Sequence, residues 1–157
     1  MDGLAAVVAD ELVQTIMDTL IQPLRAATAE PLQRLALAAY VFLGQALREP
    51  PWGALVARMA RSDPRVGAFA QSELREDVRK ALAVLPPAAI SLDAAAQAVL
   101  GIILQALAAI GEGALTEPDR SGMVRAILGA VGADRSAAEA ILDRIGEFER
   151  RVRGGPA

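Results

Sequence analysis

Histidine and cysteine are both absent from the 157 residues of this chain. Without histidine the chain lacks the commonest general base and metal ligand, and a Ser-His-Asp hydrolytic triad cannot form. Without cysteine there is no disulfide framework, no thiolate metal site and no cysteine nucleophile. The glycines do not form a phosphate-binding loop after a strand pattern. We therefore expect no enzyme, no cofactor and no bound metal.

Aromatic residues and lysine are also scarce. Aromatics make up 3% of a chain that is 54% hydrophobic, so the core must consist mainly of Ala, Leu, Val and Ile, which suits packed helices. Lys80 is the one lysine and the net charge is -3, so the chain by itself should bind nucleic acid poorly. The N-terminal stretch has acidic residues and no basic region typical of a secretory signal, which favours a cytoplasmic protein.

Prolines and capping residues divide the chain into about seven helices, which predicts one all-α domain over residues 1–157. Pro23 should kink or end the first helix, and Ser136 with Glu139 should form a capping box for the last. Residues 151–157 are expected to form a mobile tail. The predicted helices cover 3–22, 31–48, 52–61, 64–85, 92–111, 118–131 and 136–150.

The stretch from Ala94 to Gly111 carries no charge and has two different faces. At 100° per residue, its large side chains gather on one face, as expected of core: Leu92, Ala96, Val99, Leu100, Ile103, Leu107 and Ile110. The opposite, small-residue face consists of Ala94, Ala98, Gly101, Gln105 and Ala108. Because small side chains let another helix approach closely, we expect a homodimer through this face. The alternatives are a central helix of a monomeric bundle and a membrane span, for which this alanine-rich segment is only weakly apolar.

A few large or polar side chains are candidates to line a pocket for a small hydrophobic effector between the first five helices. Plain core packing is the competing interpretation for each of them. The charges of Glu73, Glu76 and Asp77 alternate with those of Arg75, Arg79 and Lys80 and are typical of a solvated helix face. The candidates for ligand binding are Met17, Tyr40, Phe42, Trp52, Met59, Phe69 and Gln97, with Gln45 and Ser72 as further polar anchors.

The order of helices and breaks over 30–82, EPLQRLALAAYVFLGQALREPPWGALVARMARSDPRVGAFAQSELREDVRKAL, followed by SLDAAAQAVLGIILQALAAIGEG, resembles the C-terminal effector-binding and dimerisation domain of TetR-family transcriptional repressors. The opening MDGLAAVVADELVQTI resembles the long helix after the DNA-binding part of that family. The resemblance implies a repressor's regulatory domain, dimerised by a four-helix bundle of two late helices per subunit. The late-helix candidates to complete that bundle are Met123, Ile127, Ile141 and Ile145.

The family's N-terminal helix-turn-helix does not occur in this sequence. The resemblance therefore implies DNA binding only through such a missing segment, in a protein of which this chain is either a truncation or a natural fragment. The alternative function is that of a stand-alone helical interaction protein, which dimerises or pairs with a full-length regulator without binding DNA.

Overall fold

The computed structural model describes residues 2–87 and 90–154, and these ranges contain helices and no strand. The predicted all-α fold class is therefore confirmed. A π-helical turn, Met17–Ile21, joins the first two helices, and a 3-10 turn, Glu117–Asp119, precedes the seventh. The α-helices are α1 (Asp2–Ile16), α2 (Gln22–Ala27), α3 (Pro31–Arg48), α4 (Pro50–Ser62), α5 (Pro64–Ala83), α6 (Leu92–Gly111), α7 (Arg120–Ala130) and α8 (Arg135–Gly154).

Of the predicted kink or end at Pro23, the end does not occur, but a π-helical turn interrupts the regular α-helix just before this proline. Proline has no N–H to donate, and its ring clashes with the carbonyl four residues earlier in a regular α-helix. The π turn just before Pro23 changes that register, because the N–H of Gln22 donates to the carbonyl of Met17. Pro23 then lies in the first turn of α2, where its missing N–H is not needed. The chain thus stays helical to Ala27.

The sequence predicts Asp63, Ser91 and Ser136 as helix caps, and the first two are confirmed. The side chain of Asp63 accepts from the N–H of Arg65 at 2.9 Å to cap α5, and Ser91 accepts from the N–H of Ala94 at 3.1 Å to cap α6. The capping box predicted at Ser136 and Glu139 is wrong. Asp134 caps α8 instead, and Glu139 pairs with Arg125 across the α7–α8 contact.

The last helix also runs further than expected. It continues through Gly154, four residues beyond the predicted end at Arg150, and no proline or glycine lies between these two residues. The first four residues of the predicted mobile tail are therefore helical. The rest of that tail, 155–157, lies outside the described residues.

Two apolar clusters form the core, and α3 and α6 contribute to both. One cluster unites α3 with α7 and α8 around Leu35, Ile127 and Ile145. The other unites α1 and α4 around Leu43 and Leu107. Helix α6 packs against α3, α4, α5 and α7, so it lies at the centre of the bundle.

Helix α6 is the one helix among the described residues that is long and apolar enough to cross a membrane, with a mean hydropathy of 1.9. In the fold, 39% of its apolar stretch is buried against the neighbouring helices. The buried residues of α6 are therefore apolar because they belong to the core. Its other apolar residues lie at or near the surface.

Candidate functional site

An apolar cavity of about 110 Å³ lies between α1, the π turn, α2, α3, α4, α5 and α6. Alanines on three of these helices leave the space, and leucine, isoleucine and phenylalanine side chains form the wall. The half-buried Leu100 and Ile103 of α6, predicted as core, line the cavity. The apolar wall comprises Ile16, Ile21, Leu24, Leu35, Ala38, Ala39, Phe42, Val56, Ala60, Val66, Phe69, Ala70, Leu74, Leu100, Ile103, Leu104 and Leu107.

Of the seven predicted ligand-binding residues, Phe42 and Phe69 line this cavity. Trp52 packs against Phe42 instead, with ring centroids 6.2 Å apart. Gln97 borders a separate, smaller depression between α5 and α6. The half-buried side chains of Met17 and Met59 are not part of the cavity wall, nor are the further anchors Gln45 and Ser72.

Tyr40 was also predicted to bind ligand, but it belongs to a charged cluster around the buried Arg120, on another side of α3. Its hydroxyl donates to Glu149 Oε2 at 2.5 Å, and the guanidinium carbon of Arg120 lies 3.4 Å from its ring centroid. Arg120 is 6% exposed and donates from Nε to the Tyr40 carbonyl at 2.8 Å. Its Nη1 lies 3.2 Å from Glu117 and 3.5 Å from Glu149. This Arg120 cluster ties α7 and α8 to α3.

The surroundings of Tyr40 also affect the ionisation of its phenol. Burial, together with the hydrogen bond to Glu149, raises the pKa of Tyr40 above its usual value. The phenol therefore stays protonated and keeps its donor role. Tyr40 acts in the structure as a packing and hydrogen-bonding residue.

Four charged residues lie together at one end of the cavity: Arg25, Arg34, Glu73 and Asp77. We refer to this group as the charged end. Arg25 Nη2 and Glu73 Oε2 are 2.7 Å apart and form an ion pair between α2 and α5. Asp77 forms no such pair with any residue of the described ranges. Burial raises the pKa of its carboxyl, with Glu73 adding to the rise and Arg34 opposing it. The charged end thus offers both cations and carboxylates beside an apolar chamber.

The sequence interpretation missed the charged end. It assigned Glu73 and Asp77 to a solvated helix face, which describes Glu76 correctly. Glu76 is exposed, and its hydrogen bond from Arg79 lowers its pKa to about 2. A signal was present: Phe69, Glu73 and Asp77 follow each other at a spacing of four residues and therefore share one face of α5.

The small-residue face of α6 lies at the surface. Ala94, Ala98, Gly101 and Gln105 are exposed, and Ala108 is half-buried. A Cβ added at Gly101 would meet no atom within 4 Å. One cation reaches this face, because Arg61 of α4 donates to Gln105 Oε1 over 3.5 Å.

The late-helix residues predicted to complete the dimer bundle point inwards. Ile127, Ile141 and Ile145 are 0%, 4% and 1% exposed and pack in the protein's own core, while Met123 is half-buried. The aliphatic stripes of α7 and α8 are needed to hold these helices onto α3. Of these two helices, α7 packs beside α6, and α8 packs on α7 and α3.

No group of three or more carboxylates that could hold a metal ion occurs within residues 2–87 and 90–154. The apolar cavity with its charged end can bind and orient a molecule. Comparison of the chain with family models, with curated proteins and with solved structures gives no match.

Proposed function

We propose that this chain is a regulatory domain of the TetR type, which binds a small, mostly apolar effector and forms a homodimer. One observation carries the proposal. Helix α6 lines the cavity with Leu100, Ile103, Leu104 and Leu107, while its opposite, small-residue face is mostly exposed and consists of uncharged residues. Because one helix has both faces, a ligand that shifts α6 also shifts the surface on which a partner packs.

The cavity supports effector binding by its composition. Small-molecule sites are mostly apolar, with a few polar groups that fix orientation. Here the wall is apolar except at the charged end, so an occupant can bury apolar surface and keep one polar group near solvent. Two aromatic rings, Phe42 and Phe69, supply broad contact surfaces within it.

A thermal-shift screen of the full chain against apolar small molecules tests effector binding. A ligand at about 100 times its Kd should stabilise the fold by about 2.7 kcal/mol. The variant Ala70→Phe should abolish the shift, since Ala70 lines the cavity. The matched control Ala68→Phe adds the same ring to an exposed position on the same helix and should leave the shift unchanged.

The absence of any shift across the screen would contradict effector binding and favour the alternative, a helical interaction protein without a ligand. A shift that persists in Ala70→Phe would place the ligand elsewhere. Either outcome leaves the question of dimerisation to a separate measurement.

A second copy of the chain is the partner that fits the small-residue face. Ala94, Ala98 and Gly101 follow each other at helical spacing, so a neighbouring backbone can approach α6 closely. Helix α7, which packs beside α6, has exposed small residues at the same spacing: Gly122, Ala126 and Gly129. We infer that α6 and α7 of each copy form the four-helix interface.

The remaining parts of the proposal concern DNA and location. With a net charge of -3 the chain is poorly suited to hold phosphates. We therefore propose that it acts on DNA only through a helix-turn-helix of the kind that precedes this domain in the family, and that it works in the cytoplasm without crossing a membrane. An electrophoretic mobility assay on the 157 residues should show no retained DNA.

A further inference from the structure

The charged end of the cavity defines what kind of molecule the site can hold. All other wall residues are apolar, so the polar part of an occupant must lie beside Arg25, Arg34, Glu73 and Asp77. The volume of about 110 Å³ is small beside the roughly 300–1,000 Å³ of typical small-molecule sites. A slender aliphatic chain suits this space better than a fused ring system.

The two arginines at the charged end differ in their partners. Arg25 is already paired with Glu73 at 2.7 Å. The half-buried guanidinium of Arg34 forms no hydrogen bond or ion pair with any residue that the structure describes, and Asp77 acts on it only at longer range. Among the described residues, every fully buried side-chain nitrogen has a hydrogen-bond partner. Because the guanidinium nitrogens of Arg34 have no partner among these residues, they must be accessible. Arg34 is therefore a cation at the edge of the apolar cavity, and its N–H donors can bind a ligand.

The surroundings of Arg34 are positive. The four charged-end residues also border a surface depression whose nine lining residues include five cations and three carboxylates. Within it, Glu73 is paired with Arg25, and Glu76 is paired with Arg79 and Lys80, while Arg75 is paired with Asp93 of α6. With Asp93 included, five cations stand against four carboxylates. An anionic group approaching the charged end thus meets a net positive field.

We propose, on the basis of the proposed function, that the effector is an aliphatic carboxylic acid whose carboxylate is bound by Arg34. The guanidinium of Arg34 presents its N–H donors to the carboxylate, and such charge-assisted bonds are about twice as strong as neutral ones. The aliphatic chain extends between Phe42, Phe69 and the cavity face of α6. The ion pair of Arg25 with Glu73 remains in place at the rim.

Titration calorimetry on the full chain with decanoate, decanol and decylamine, each below its aggregation concentration, tests this assignment. The three probes share one chain and differ in head group. Decanoate should bind at least about tenfold more tightly than decanol, a difference of about 1.4 kcal/mol. Decylamine should bind most weakly.

Two variants make the test specific for Arg34. Arg34→Met keeps the apolar stem but removes the charge, so decanoate affinity should fall about tenfold, to that of decanol, while decanol affinity stays unchanged. The matched control Arg48→Met changes an exposed arginine on the same helix, outside the cavity, and should alter neither affinity.

The outcomes separate this inference from the proposed function. Equal affinity for the three probes, or tighter binding of decylamine, would overturn the carboxylate assignment and leave the effector cavity standing. An undiminished preference for decanoate in Arg34→Met would overturn the role of Arg34. No binding of any of the three would overturn the assignment and count against effector binding itself.

Discussion

Single residues decide how two charged groups are accommodated inside this apolar protein. Arg120 is buried on α7 but satisfied by carboxylates and a carbonyl, whereas Asp77 is half-buried and has no ion-pair partner in the described part of the chain. Sequence alone did not predict either environment, because both residues stand in ordinary helical patterns. Only the packing of α3 against α7, and of α5 beside α2 and α3, determines what surrounds them.

Gly44 provides the space for the Arg120 guanidinium. A Cβ at position 44 would overlap the guanidinium of Arg120. Gly44→Ala should therefore displace Arg120 from its partners, which costs about 3–5 kcal/mol for a broken buried ion pair. Since alanine is the better helix former by up to about 1 kcal/mol, the free energy of unfolding should fall by about 2–4 kcal/mol in total. Chemical denaturation measures the loss.

The Arg120→Met background provides the control for that prediction. With the guanidinium removed, Gly44→Ala should cost much less, so the double-mutant cycle should show a coupling energy above ~0.5 kcal/mol. Additive costs would mean that position 44 acts independently of Arg120.

Asp77 should affect stability in a pH-dependent way. Burial raises the pKa of its carboxyl in the folded state, so the ionised form destabilises the fold above that pKa. Below the unfolded pKa of about 3.9 both states are protonated and the penalty disappears. Asp77→Asn should therefore raise the Tm at pH 7, and the gain should vanish as the pH falls through the acid range.

Glu76 provides the opposite case on the same helix. Its pKa is lowered to about 2, mainly by the hydrogen bond from Arg79, so ionisation favours the fold. Glu76→Gln should not raise the Tm at pH 7.

A fall in Tm for Asp77→Asn would show that the ionised carboxylate is stabilising beside Arg34.

At the scale of elements, prolines and caps predicted most helix boundaries because they act locally on the backbone. The start of α3 at Pro31 and the cap of α6 at Ser91 depend on one or two neighbouring residues. The π turn before Pro23 was not predicted, because it involves a hydrogen bond over five residues. The wall of the cavity was predicted only in part. Aromatic residues were chosen as candidates because the chain has few of them, but their scarcity does not show which helices surround each one.

The two faces of α6 were predicted from its periodicity, and they allow a direct test of the interface. Gly101→Glu places a charge on the small-residue face, where the monomer has room for the side chain. It should separate the dimer, while replacement of a helical glycine favours the monomer fold by up to ~1 kcal/mol. Light scattering gives the mass, and circular dichroism gives the helix content.

Gly3→Glu is the matched control for Gly101→Glu. It makes the same change at an exposed glycine of α1, with open space around its Cβ, and should leave the mass unchanged. A Gly101→Glu variant that keeps the wild-type mass would exclude the small-residue face as the interface.

At the scale of the whole molecule, α6 joins a cavity to a surface. Its neighbours α3, α4, α5 and α7 hold it on three sides, and the remaining side is open. In a monomeric bundle this uncharged helix face would be in contact with water, where a charged or polar face would be better hydrated. Whether this face has a partner therefore decides between a dimer and a monomeric bundle.

The mass of the full chain in solution, measured by light scattering over a wide range of concentrations, tests that claim most directly. We expect a stable dimer, with twice the chain mass of 16.4 kDa. A mass of 16.4 kDa at every concentration would contradict it, and α6 would then be a bundle helix whose small residues face only solvent.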